Sequence, residues 1–82
     1  MKEDLKLFLQ SKAKETQLGG YTFIMENFNF TVIEMPLGIS LQFYLISDRK
    51  VTEPTEAILD KNITLQEFSQ KLVEIIESNK DM

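Results

Sequence analysis

Apolar and polar residues alternate with a period of two from Tyr21 to Ser47, and the stretches before and after carry a helical period. At period two, Tyr21, Phe23 and Met25 share a face with Phe28, Phe30 and Val32, and with Ile39, Leu41, Phe43 and Leu45. The opposite face carries Thr22, Ile24, Glu26, Asn29, Thr31, Ile33, Ser40, Gln42, Tyr44 and Ile46. One face is almost wholly apolar and the other mixed, which is the pattern of an antiparallel meander with one side buried. The three runs predict strands over about 21–26, 28–35 and 39–47.

The turns fix how these strands pair. Glu26-Asn27 reads as a two-residue loop, with Asn27 suited to φ > 0, and it sets Met25 opposite Phe28. Around Pro36, a three-residue loop would turn Phe28, Phe30 and Val32 away from Leu41 and Phe43, because a slip of one residue flips every side chain. A four-residue loop, Met35 to Gly38, sets Glu34 opposite Ile39 and keeps the apolar face intact. Pro36 presets φ in that loop, and Gly38 falls where a left-handed residue is wanted.

Residues 2–18 read as a helix. Leu5, Phe8, Leu9 and Ala13 make its apolar stripe, and Gly19-Gly20 provides its end. Residues 64–78 read as a second helix. Thr64-Leu65-Gln66-Glu67 is a capping box, Ile63 a staple against Phe68, and Leu65, Phe68, Leu72, Ile75 and Ile76 the stripe, widened by Val73. The region between Val51 and Ile63 admits two readings. Pro54 suits the first turn of a short helix over 54–61, with Ala57, Ile58 and Leu59 on its buried side. Alternatively, Glu56 to Asp60 is a fourth strand at the sheet edge. Two amphipathic helices packed on one face of a three-stranded sheet make a two-layer α+β domain, 1–82, with Phe8, Phe23, Phe28, Phe30, Phe43 and Phe68 in its core.

Composition narrows the chemistry. The 82 residues include no Cys and no His, which removes disulfides, thiol catalysis, the usual zinc ligands and the commonest general base. The net charge of −4 and the single arginine, Arg49, leave little with which to grip phosphates, so nucleic acid is not an expected partner. No apolar run approaches the ~20 residues that span a bilayer. The start, M-K-E-D-L-K-L-F-L, mixes acidic and basic residues and lacks a small-residue cleavage site, so it does not read as a signal peptide, and a cytoplasmic location is the simplest expectation.

Catalytic and metal motifs are weak. Ile63 to Phe68 is similar to the exit half of a calcium-binding EF-hand loop, with Glu67 in the closing position. Alignment on Glu67 then puts Ile58 at a ligand position and Lys61 where a glycine is needed, so no calcium site is expected. Glu34 is the one carboxylate on the apolar parity, and its place at a strand end beside Pro36 explains it without chemistry. With no glycine-rich phosphate loop and no nucleophile–base set, neither catalysis, nor a cofactor, nor a small-molecule substrate is expected.

What remains is the mixed face of the sheet. Ile24, Ile33, Tyr44 and Ile46 stand there among small polar residues. Scattered apolar residues on a half-exposed sheet need no special cause, and residues 51–63 could also fold across them. The sharper reading is a protein contact surface, most simply between two copies of the chain, giving a non-catalytic interaction or regulatory module that acts as a homodimer. A second reading is an acidic inhibitor or decoy that blocks a nucleic-acid enzyme, as mobile elements encode. Its support is the excess of Glu53, Glu56, Asp60 and Glu67 over Lys61.

Overall fold

A computed structural model describes residues 1–17, 19–46 and 54–79. Its elements run α1 (Glu3–Lys12), β1 (Lys14–Glu15), β2 (Tyr21–Met25), β3 (Phe28–Met35), β4 (Gly38–Leu45), β5 (Thr55–Leu59) and α2 (Leu65–Ser78). The strands form one antiparallel sheet in the order β1-β2-β3-β4-β5. The chain is therefore α+β, with five strands where the alternation predicts three.

The two added strands correct two helical expectations. The first helix ends at Lys12 rather than near residue 18, and Ala13 is already extended at φ −115° and ψ 161°. Beyond Ala13 the sequence runs Lys14-Glu15-Thr16-Gln17, which offers no apolar group to hold a further helical turn on the core. The backbone bonds to β2 instead, with Lys14 opposite Thr22 and Glu15 opposite Tyr21. Gly19-Gly20 thus belongs to the β1–β2 turn and not to a helix end. There the Thr16 amide donates to the Gly20 carbonyl at 2.8 Å, the Gly20 amide donates to Thr16 Oγ1 at 2.9 Å, and Gly19 takes φ +83°.

Of the two readings of the next stretch, the edge strand holds, as Thr55–Leu59 rather than Glu56–Asp60, and the helix over 54–61 does not. A helix of about eight residues is below the length at which isolated helices hold. Thr55–Leu59 gains more by pairing along β4, from Ile39 opposite Leu59 to Phe43 opposite Thr55. Pro54 lies just before the strand, where a missing N–H costs no ladder bond. Asp48-Arg49-Lys50, which read from sequence as a turn or a strand end, lies with residues 47 and 51–53 outside the described residues.

Between β2 and β4 the pairing follows the face argument. Met25 stands opposite Phe28 and Glu34 opposite Ile39. The turns themselves differ in detail. Met35 also pairs with Gly38, so the second loop is the two residues Pro36-Leu37 rather than four. Gly38 is not left-handed; a Cβ there would stand 2.8 Å from the Leu59 carbonyl, so glycine is required by the close approach of β5. In the first turn the positive φ, +56°, falls on Glu26 and not on Asn27.

The core is built on the apolar parity of the sheet. Tyr21, Phe28, Phe30, Val32, Ile39, Leu41 and Leu59 join Leu5 and Leu9 of α1 and Phe68, Leu72 and Ile75 of α2 in one buried cluster. Phe8, Phe23 and Phe43 are only half-buried against it. Leu7 and Val73 face outward; Val73 therefore does not widen the stripe of α2. The capping box forms as expected: Glu67 N–H donates to Thr64 Oγ1 and Thr64 N–H to Glu67 Oε1, each at 3.1 Å. Asn79 closes the helix by donating its Nδ2 to the Ile75 carbonyl at 2.7 Å.

Candidate interaction face

The second parity of the sheet forms a continuous surface on the side away from the core. Directly opposed residues in an antiparallel ladder share a face, so the registers can be followed across all the strands. One rung runs Lys14–Thr22–Thr31–Gln42–Glu56 from edge to edge. A second carries Ile24, Asn29 and Tyr44, and a third Ile33, Ser40 and Ile58. Of the four residues singled out from sequence, Ile24, Tyr44 and Ile46 are exposed and Ile33 is half-buried. The structure brings them onto one surface and adds Ile58, which is 61% exposed.

Ile58, Lys14 and Glu56 are the members of this face that the sequence reading leaves out. Lys14 lies in the stretch read as helix, and Ile58 and Glu56 in the stretch read as either helix or strand. The alternation of Thr55, Ala57 and Leu59 against Glu56 and Ile58 is the signal that places the last two. β5 extends the sheet sideways instead of folding over it, which leaves Ile24 66% exposed.

Some polar groups of the face bond to one another. Ser40 is buried, and its hydroxyl donates to Glu56 Oε2 at 2.6 Å; Gln42 Nε2 lies 3.5 Å from the same oxygen. Thr22 Oγ1 donates to Asn29 Oδ1 at 3.2 Å. Among the described residues no buried side-chain N or O lacks a partner.

The chemical alternatives find little material here. Ser40 beside Glu56 places a hydroxyl on a carboxylate, but Ser40 is buried, and the sequence has no histidine to relay a proton. Among the described residues no group of three acidic side chains is placed to hold a metal ion. A cleft of about 240 Å³ lined by Lys12, Lys14, Thr22, Phe23, Ile24 and Asn29 opens at the β1 edge. It is smaller than the ~300–1,000 Å³ typical of small-molecule sites. Among the described residues no helix is long and apolar enough to cross a membrane.

The carboxylates are mostly engaged locally. Asp60 Oδ1 accepts from the Asn62 amide at 2.7 Å, Glu67 closes the capping box, and Glu56 holds Ser40. Glu34, exposed at its strand end, accepts from the Met1 ammonium at 2.5 Å, and this bond holds its carboxyl below the ordinary 4.5. The Thr64 amide does the same for Glu67. No protein-family model matches the chain, and neither a curated protein nor a solved structure does.

Proposed function

We propose that the protein is a non-catalytic interaction or regulatory module that acts as a homodimer through the outer face of its sheet. The observation that carries this reading is the exposure of Ile24, Tyr44, Ile46 and Ile58 on the outer parity of the sheet, Ile24 and Tyr44 in one rung and Ile58 in another. A tyrosine among isoleucines, rimmed by charge, has the composition of an interface centre. A domain this small also gains stability from association.

Size-exclusion chromatography with light scattering tests it. The wild-type chain is expected at dimer mass, and the dimer is expected to persist in 0.5 M salt because salt does not screen the contacts of its isoleucines and Tyr44. Tyr44→Lys and Ile33→Lys should each elute as folded monomers with unchanged circular dichroism. A wild-type chain that stays monomeric at every concentration would sink the proposal. Loss of the fold in Ile33→Lys would show instead that this face belongs to the core.

A further inference from the structure

We infer that the two copies meet about a two-fold axis running nearly parallel to β3, which seats Lys14 of each copy on Glu56 of the other. The inference rests on the homodimer reading above and adds the orientation and the residues that select it. The edge-to-edge rung is the starting point, since it is polar or charged at every position and carries opposite signs at its two ends. Lys14 stands on β1 and Glu56 on β5, both exposed. Four strand spacings, about 19 Å, separate the two edges.

Two identical faces can meet only about an axis lying in the plane between them. An axis along the strands reverses strand order, so that β1 lies over the partner's β5 and β3 over the partner's β3. The rung stays level with its own copy, and Lys14 meets Glu56 twice. Ile24 is then set against Tyr44 of the other copy, and Ile33 against Ile33. An axis across the strands keeps strand order. Where it crosses this rung it lays Lys14 over Lys14 and Glu56 over Glu56, and like charges brought together across an interface are costly. Sheets that pack face to face lie about 10 Å apart with strands within about 30° of alignment, a gap that a lysine and a glutamate span together.

The local bonding of Glu56 fits this role. Ser40 and Gln42 both approach Oε2, so Oε1 is the oxygen turned to an incoming cation. Among the described residues Lys14 has no ion pair of its own. Strands of two, five, eight, eight and five residues give a footprint of roughly 450 Å² per copy, about 900 Å² for the pair, just under the size of a standard specific interface. Such a dimer is reversible, and at this size the charged edges decide orientation more than affinity.

Sedimentation equilibrium of the full chain at low salt distinguishes the outcomes. Lys14→Glu and Glu56→Lys should each weaken the dimer roughly tenfold, since each turns two attractive pairs into repulsive ones. The double variant Lys14→Glu/Glu56→Lys should return to within about threefold of wild type, and the differences should shrink at 1 M salt, where the screening length is about 3 Å. Should Glu56→Lys unfold through loss of the Ser40 bond, Glu56→Gln keeps an acceptor for Ser40 and should still weaken the dimer. A wild-type dimer indifferent to both single changes, or weakened by both and not restored by the double, overturns the orientation and leaves the homodimer standing. A wild-type monomer throughout overturns both.

Discussion

Phe30 is the residue on which the packing converges. It is fully buried on the central strand, and its ring centroid lies 5.3 Å from Phe23, 6.0 Å from Phe28 and 6.1 Å from Phe43. Phe23 and Phe43 are its direct partners on the two neighbouring strands, so one ring ties three strands together. Phe30→Ala should cost about 3–5 kcal/mol in urea unfolding, as deletion of a buried aromatic side chain does. Phe43 is half-buried, and Phe43→Ala should cost less, about 2 kcal/mol. Glu26 offers the opposite case. A left-handed conformation costs an L-residue roughly 1–2 kcal/mol, so Glu26→Gly should stabilise the chain by about 1 kcal/mol, measured as a higher urea midpoint with an unchanged slope.

Among the elements, α2 is the one whose start was written in full in the sequence, and its cap makes it sensitive to acid. The Thr64 amide and hydroxyl hold the Glu67 carboxyl below its ordinary value. A carboxylate depressed on folding contributes stability that is present above about pH 4.5 and is lost as pH falls through the lower folded value. Glu34, held down by the Met1 ammonium, acts in the same direction. Thermal melting followed from pH 7 to pH 3 should therefore decline, and Glu67→Gln, which keeps the capping geometry, should flatten part of that decline. Thr64→Ala should lower stability by about 1 kcal/mol at neutral pH. The elements that the sequence did not announce share a physical feature. β1 and β5 are edge strands of two and five residues, too short for their own alternation to outweigh helical signals. Each exists because a neighbouring strand presents unpaired backbone, a tertiary cause that no local pattern carries. The eight-residue strands β3 and β4 are legible for the converse reason, since their apolar parity alone dictates pairing.

At the scale of the whole molecule, the apolar parity of a five-stranded sheet shares one buried cluster with residues of both helices, and Ile24, Tyr44, Ile46 and Ile58 mark the other parity as the open side. Four residues of that open side were visible in the alternation, because Ile24, Ile33, Tyr44 and Ile46 fall on strands that alternate cleanly. Ile58 and the charged ends of the long rung were not, because their strands were not. Ile58 is therefore the most informative position. Static light scattering across a concentration series, on wild type and on Ile58→Lys, puts the matter directly. The wild-type mass should rise towards two chains with concentration while Ile58→Lys holds the mass of one chain with its circular dichroism unchanged. An identical concentration dependence for the two proteins would contradict the assignment of this face as the meeting surface.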